Sequence, residues 1–280
     1  MSLPSFLCIG AQKAATSWLY AKLIQHPDVW MPPVKELHYF DHLYVDDNRQ
    51  WTEGHIKSGV RSNISSHVHN SEYINLDYVK YLADLAQVEL FSEKWYRSAF
   101  GRATADGKTL GDITPEYCTV PREGIQHIKR LLGTPKIIYM IRDPASRARS
   151  QLRMTVERKF GKKMKCLSTS QWQEAFEATP ILNRGDYRNY IPVWDDEIPA
   201  EDLLYIPFKQ VSREAKNTML KIEKHIGLSP FDGYTNLSKA AHVTQKIKIP
   251  DHILEPLDTD FKLQNEFLRE RFGSDFTRQI

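Results

Sequence analysis

At 280 residues, 41% hydrophobic and 26% charged, the chain has the makeup of a folded globular protein long enough to bury a large core. A net charge of +3 excludes the strongly basic surface of a nucleic-acid binder but suits an enzyme whose substrates are anionic. No run approaches the roughly 18 apolar residues of a membrane span, and Cys8, Cys118 and Cys166 lack metal-ligand spacing, which fits reduced thiols in a cytoplasmic protein.

The apolar N-terminus is short and has no basic flank, so it reads as a first strand over 3–9 and not as a signal peptide. A loop and an amphipathic helix over 16–25 follow. A short strand at 29–31 stops at Pro32-Pro33, because proline cannot join the interior of a ladder. Residues 42–75 are polar and weakly periodic; they are expected to form a long irregular excursion of the kind that often carries function. Helices are predicted near 77–87 and 89–99, a strand at 109–113, and a helix near 121–132. Residues 136–141 form the continuous apolar run of a buried parallel strand. After it, Asp143 can cap and Pro144 can begin a helix reaching Lys159. Helices near 170–178 and 186–196, a strand at 202–208, a helix over 211–226 closed by Gly227, and a helix over 251–272 ended by Gly273 complete the chain. Strands alternating with helices imply an α/β domain over 1–280, with a parallel sheet covered on both faces. Ligands of such sheets bind at the carboxyl ends of the strands. The loops after Ile9, Met31, Ile113 and Ile141 therefore share one rim.

The first of these loops runs Gly10-Ala11-Gln12-Lys13-Ala14-Ala15-Thr16-Ser17-Trp18. A strand leading through small residues into a helix points backbone N–H groups and the positive helix end at one spot, where an anion can sit. Lys13 adds a mobile charge, and Thr16 and Ser17 add hydroxyls. A tight turn with a surface lysine is the plainer alternative. The loop lacks the G-x-x-x-x-G-K-[ST] spacing of a kinase-type phosphate loop, and no acidic partner for Mg²⁺ stands out, so no metal is expected.

Lys13-Ala14-Ala15-Thr16-Ser17-Trp18 resembles the 5′-phosphosulfate loop, K-x-G-T-[ST]-x-[LW], of sulfotransferases that use 3′-phosphoadenosine 5′-phosphosulfate (PAPS) and release 3′-phosphoadenosine 5′-phosphate (PAP). The resemblance implies a P-loop NTPase-like fold and contacts from Lys13, Ala14, Ala15, Thr16 and Ser17 to the 5′ end of the nucleotide. Ala15 stands where the family has glycine. Trp18 either stacks on adenine or packs in the core. Arg142 and Ser150, with seven residues between them as in the family's 3′-phosphate-binding segment, resemble a second anchor. Arg142 leaves a buried strand at the rim, where its guanidinium can take a phosphate bidentately. An ion pair with Asp143 is its alternative role.

Lys35-Glu36-Leu37-His38-Tyr39-Phe40-Asp41 resembles the E-x-H-[FY]-F-D segment of the Golgi heparan sulfate-type enzymes and their bacterial relatives, in which the glutamate is the general base. Glu36 is thus the expected base, Lys13 the cation at the leaving phosphate, and His38 the competing base. Residues 111–117 correspond to the heparan enzymes' E-K-T-P-x-Y, but their catalytic lysine falls on Ile113, so either Lys13 or Lys35 covers its role or the acceptor differs from heparan sulfate. Asp112, Thr114 and Tyr117 are expected to line the acceptor cleft. Softer matches place Arg184, Tyr187, Tyr190, Lys239 and His242 near the nucleotide. The expected reaction is sulfuryl transfer from PAPS to a hydroxyl, or amine, of a glycan or small-molecule acceptor. A P-loop-like kinase or hydrolase and a non-catalytic nucleotide-binding protein are the alternatives.

Overall fold

The computed structural model describes residues 3–87, 89–102, 106–239 and 247–280. Five parallel strands, β1 (Phe6–Gly10), β2 (Val29–Trp30), β3 (Thr109–Ile113), β4 (Lys136–Ile141) and β5 (Leu203–Pro207), form one sheet in the order β2-β3-β1-β4-β5. Residues 6–9 of β1 and 137–141 of β4 are fully buried, as strands covered by helices on both faces must be. The chain moves from β1 to one side of the sheet, then crosses to the other. The order therefore reverses at β1, and the ligand crevice of such a sheet opens at its carboxyl end.

The helices are α1 (Thr16–Leu23), α2 (Tyr39–Tyr44), α3 (Asp46–Asn70), α4 (Leu76–Gln87), α5 (Glu93–Ala99), α6 (Arg122–Leu132), α7 (Pro144–Phe160), α8 (Thr169–Glu177), α9 (Tyr187–Glu197), α10 (Phe208–Arg213), α11 (Ala215–His225) and α12 (Asp258–Thr277). Asp143 caps α7 by accepting from the Ser146 N–H at 2.7 Å, with Pro144 at its first position. Two expected helices differ in detail. The one over 211–226 is two, broken where Glu214 takes φ −136°. The last begins at Asp258 after 3-10 turns over 251–257, and Gly273 (φ 81°) kinks it without ending it.

The larger correction is at 42–75. Residues 46–70 form a continuous 25-residue helix, α3, instead of an irregular excursion. Its buried residues are Asn48, Thr52, Ile56 and Val60, one stripe at four-residue spacing. Two of those four are polar, so the stripe carries almost no hydrophobic signal. The helix is fixed by what it packs on. Gly59 lets it approach closely, since a Cβ there would lie 2.8 Å from Val34 Cγ1. Asn63 Nδ2 donates to the Pro33 carbonyl at 3.3 Å, and His55 Nε2 to the Lys35 carbonyl at 3.0 Å. Through these contacts α3 braces the backbone that carries Glu36. Among the described residues no helix is long and apolar enough to cross a membrane.

Candidate active site

The loop after β1 is built to keep its backbone exposed to a ligand. At Gly10, φ is +152°, and an added Cβ would sit 2.9 Å from the Pro115 carbonyl oxygen, so only glycine fits. The Ala11 N–H bonds the Met140 carbonyl at 2.8 Å, tying the loop to β4. Lys13 and Ala15 then adopt left-handed backbone, with φ 68° and 75°. Ala15 is the N-cap of α1; it offers no side-chain cap, and the first turn holds no acidic residue. The N–H groups of that turn thus retain the polarity that receives an anion.

The glycine of the resembling motif falls on a residue whose conformation favours glycine. An alanine in this region costs about 1–2 kcal/mol, partly offset by its lower entropy in the unfolded chain. Ala15→Gly is therefore expected to raise stability by up to about 1 kcal/mol in urea unfolding. A clear loss of stability would rule out the left-handed cap.

Arg142, the first residue past β4, reaches back to this loop. Its Nη1 donates to the Lys13 carbonyl at 2.8 Å, and its guanidinium lies 4.4 Å over the Phe208 ring. Its Nε is buried with no hydrogen-bond partner. Tyr187 does not face the nucleotide side as expected. It is fully buried, and its hydroxyl donates to the Arg142 carbonyl at 3.0 Å, so it fixes Arg142 from behind. Lys13 Nζ stands 3.7 Å from Met154 Sδ of α7. Burial first, then repulsion from Arg142 and Arg158, holds the Lys13 pKa below the usual lysine range. Glu157 and Glu36 offset part of that repulsion, and a bound anion would offset more. Ser150, Met154 and Arg158 share one face of α7 by their four-residue spacing.

Across the crevice, Glu36 and His38 also have left-handed backbone, φ 66° and 54°. Of the six non-glycine residues with positive φ among the described residues, four (Lys13, Ala15, Glu36 and His38) lie in these two loops. Backbone held in sparsely populated conformations concentrates at functional sites. Glu36 pairs with Lys35, and its other oxygen lies 3.9 Å from His38 Nε2. Burial favours the neutral carboxyl, but Lys35 and His38 outweigh it and hold the Glu36 pKa low. His38 is fully buried, and its Nδ1 donates to Asp41 Oδ2 at 3.0 Å. Burial works against its imidazolium, yet Asp41 in particular raises its pKa to about 9. Asn48 of α3 donates to the same Asp41 oxygen at 2.9 Å.

Between the two loops opens a cavity of about 790 Å³. Gln12 of the phosphate loop, Glu36, Trp51 and His55 of α3, Glu116 and Arg158 of α7 are among the residues that line it. Arg184 Nη1 donates to Glu116 Oε1 at 2.9 Å and Gln12 Nε2 to the same oxygen at 2.8 Å, which locks the wall facing Glu36. Arg184 also stacks 5.2 Å over the Trp51 ring. Tyr190 lines the cavity as well.

Several expected residues lie elsewhere. Asp112, Thr114 and Tyr117 do not line the cleft; they are buried together. Tyr96, Tyr117 and Thr114 hydroxyls all donate to the Asp112 carboxylate, at 3.1, 2.8 and 2.8 Å. Tyr117 Oη in turn accepts from the Tyr39 N–H at 3.1 Å, so this network fastens β3 to the segment bearing Glu36 and His38. Ile113 is buried apolar core. Trp18 takes the packing role: it is 3% exposed, and its indole N–H donates to the Leu237 carbonyl at 2.8 Å. Lys22 reaches the Thr235 carbonyl at 2.8 Å, so α1 holds this segment at two points. Lys239 is exposed just beyond it, and His242 lies outside the described residues. Trp51, His55, Glu116 and Arg158 are among the site-lining residues that sequence reasoning missed. Glu116 was within reach, since it is the variable position of the 111–117 segment. Trp51 and His55 share a helix face, which shows only once α3 is known to be helical.

The sequence model described as the Sulfotransferase family matches residues 4–233. Human heparan sulfate glucosamine 3-O-sulfotransferases 3B1 and 3A1 are each 23% identical over 144 residues, 48% of this chain but 35% and 33% of theirs. The membrane-associated sulfotransferase kil1 of Dictyostelium discoideum is 23% identical over 159 residues, 56% of this chain and 24% of that protein. The chain therefore aligns with only about a third or less of the length of these curated relatives. In fold it is similar to a sulfotransferase from Alicyclobacillus acidocaldarius, with a TM-score of 0.65, 20% identity and coverage of 99% and 100% of the two chains. It is also similar to the sulfotransferase domain of a Synechococcus olefin synthase, with a TM-score of 0.60, 15% identity and coverage of 98% and 96%. With that sheet order, a strand-to-helix loop clamped by Arg142, and a family match spanning most of its length, this chain belongs to the sulfotransferase family.

Proposed function

We propose that the chain moves a sulfuryl group from PAPS to a hydroxyl of an acceptor held in the cavity between the phosphate loop and α3. The observation that carries this reading is the facing arrangement of two strained loops. One presents Lys13 beside Arg142, and the other presents Glu36 on the cavity wall. The first-turn N–H groups of α1, with Thr16, Ser17 and Lys13, receive the 5′-phosphosulfate. The remaining donors of Arg142, including its partnerless Nε, and Ser150 receive the 3′-phosphate. Glu36 takes the proton from the acceptor hydroxyl as its oxygen bonds to sulfur. The bond from sulfur to the 5′-phosphate oxygen breaks on the opposite side, and Lys13 meets the charge that develops there. Lys13 lies in the loop that receives the 5′-phosphosulfate, whereas Lys35 pairs with Glu36, so Lys13 is assigned the role of the lysine that Ile113 replaces.

Glu36 is preferred over His38 as base on position. Glu36 lines the cavity, whereas His38 lies fully buried behind it with one nitrogen committed to Asp41. The acceptor is placed in the class of hydroxylated glycans or small molecules. A wall combining Trp51, Tyr190 and several polar side chains can stack on a ring face and bond its hydroxyls.

The test is thermal stabilisation by PAP against ATP with Mg²⁺. PAP is expected to raise Tm at far lower concentration than ATP. Arg142→Ala should weaken PAP binding by about 10–100-fold through loss of charge-assisted bonds. It should also reduce the preference for PAP over adenosine 5′-phosphate. A stronger response to ATP with Mg²⁺ would favour a kinase or hydrolase, and an unchanged preference in Arg142→Ala would displace the 3′-phosphate anchor.

A further inference from the structure

We propose that Glu36, His38 and His55 form a binding site for a divalent transition-metal ion of the zinc and cobalt class, and that its occupancy inhibits the enzyme. A carboxylate oxygen of Glu36 and one nitrogen from each ring lie within 4.8 Å of one another. Both imidazoles are held as metal-ligating histidines are, with one nitrogen committed to an oxygen acceptor and the other left as ligand. His38 Nδ1 donates to Asp41 Oδ2, while its Nε2 is buried with no hydrogen-bond partner, and an arriving ion displaces the Nε2 proton to solvent. His55 Nε2 faces the Lys35 carbonyl at 3.0 Å. A carbonyl only accepts, so that nitrogen carries the proton and Nδ1 of the neutral ring offers its lone pair. Glu36 divides its oxygens in the same way: Oε1 pairs with Lys35, and Oε2 lies toward His38 Nε2 at 3.9 Å.

Tetrahedral bonds of about 2.1 Å place ligand atoms about 3.4 Å apart, so the 3.9 Å His38–Glu36 edge has to close by roughly half an ångström and no edge of the set, all within 4.8 Å, by more than about 1.4 Å. Two imidazoles and a carboxylate suit zinc or cobalt better than magnesium. Asp41 behind His38 and Glu116 on the facing wall supply the negative charge a dication needs. Three protein ligands leave a coordination position toward the cavity that Glu36 and His55 line. Binding of the ion follows from this geometry alone. Inhibition rests on the proposed role of Glu36, whose oxygen the ion would occupy.

The experiment titrates cobalt(II), followed by visible absorption, and zinc(II), followed by calorimetry, into the full chain. One saturable equivalent is expected for each. His55→Ala and Glu36→Gln should weaken zinc binding by about tenfold or more. A control replacing His67 and His69, near the far end of α3, with alanine should leave it unchanged. These variants avoid His38, whose complete burial makes its replacement a folding risk. No saturable binding, or binding that the control abolishes and His55→Ala and Glu36→Gln do not change, overturns the site. Turnover measured with zinc bound separates the two claims. Unimpaired turnover overturns the inhibition and the role of Glu36, while the metal titrations judge the site itself.

Discussion

Lys13→Ala is expected to lower kcat by about 10²–10³-fold, the usual effect of removing a donor placed where charge develops in a transition state. PAP affinity should fall far less, because the α1 N–H groups and Arg142 still hold the two phosphates. The position demands a second variant. Lys13 has φ 68°, so replacing it changes backbone strain as well as charge. Its carbonyl also accepts from Arg142, so a shift in loop conformation would disturb the 3′ anchor. Lys13→Gly removes the same amine while relaxing the strain. If amine loss is what matters, both variants show the same kcat. If the alanine variant is impaired and the glycine variant is not, the lysine serves only to shape the loop. The crowding of Lys13 with Arg142 and Arg158 sharpens the expectation. A lysine whose charge is disfavoured without nucleotide gains most where negative charge appears.

The sheet was legible in the sequence because its strands are buried on both faces. Leu7 to Ile9 and Ile137 to Ile141 read as unbroken apolar runs, and their positions agree closely with the observed strands. The strand-to-helix loop at 10–18 and the position of Arg142 at the end of a strand were legible because both follow apolar strand runs. Helix α3 was not, since the stripe it buries is half Asn and Thr, and it is stabilised by contacts to Pro33, Val34 and Lys35 that no local pattern announces. The cavity wall drawn from α3 was lost with it. Asp112, Thr114 and Tyr117 were misplaced for a different reason. A polar cluster beside a catalytic segment reads as a cleft lining, but here each hydroxyl is spent inside on one carboxylate. Polar residues near a site can hold its scaffold as readily as its ligand, and only burial tells the two apart.

Glu36→Gln is expected to lower kcat by about 10²–10⁴-fold, the range for loss of a positioned general base, with PAP affinity within about twofold of wild type. Glutamine keeps the shape and can still bond Lys35, so the braced loop should stand. The side chain lines the cavity and pairs with Lys35 and His38, not with Arg142 or Ser150, which is why kcat and nucleotide affinity should separate. The result also distinguishes Glu36 from the residue behind it. His38 is fully buried and tied to Asp41, so its replacement should act on stability together with activity. Glu36→Gln should lower Tm modestly at neutral pH, because the mostly buried carboxylate loses the interactions with Lys35 and His38 that hold its pKa low. Unchanged turnover in Glu36→Gln would transfer the proton to another acceptor. An equal loss of PAP affinity and kcat would mean that the loop had moved. In-line transfer needs a base that is both ionised and in position as the acceptor oxygen bonds to sulfur, and glutamine keeps the position but not the basicity. A carboxylate kept ionised by Lys35 is sufficient for that role, provided the acceptor hydroxyl is held against it by the wall that α3 supplies.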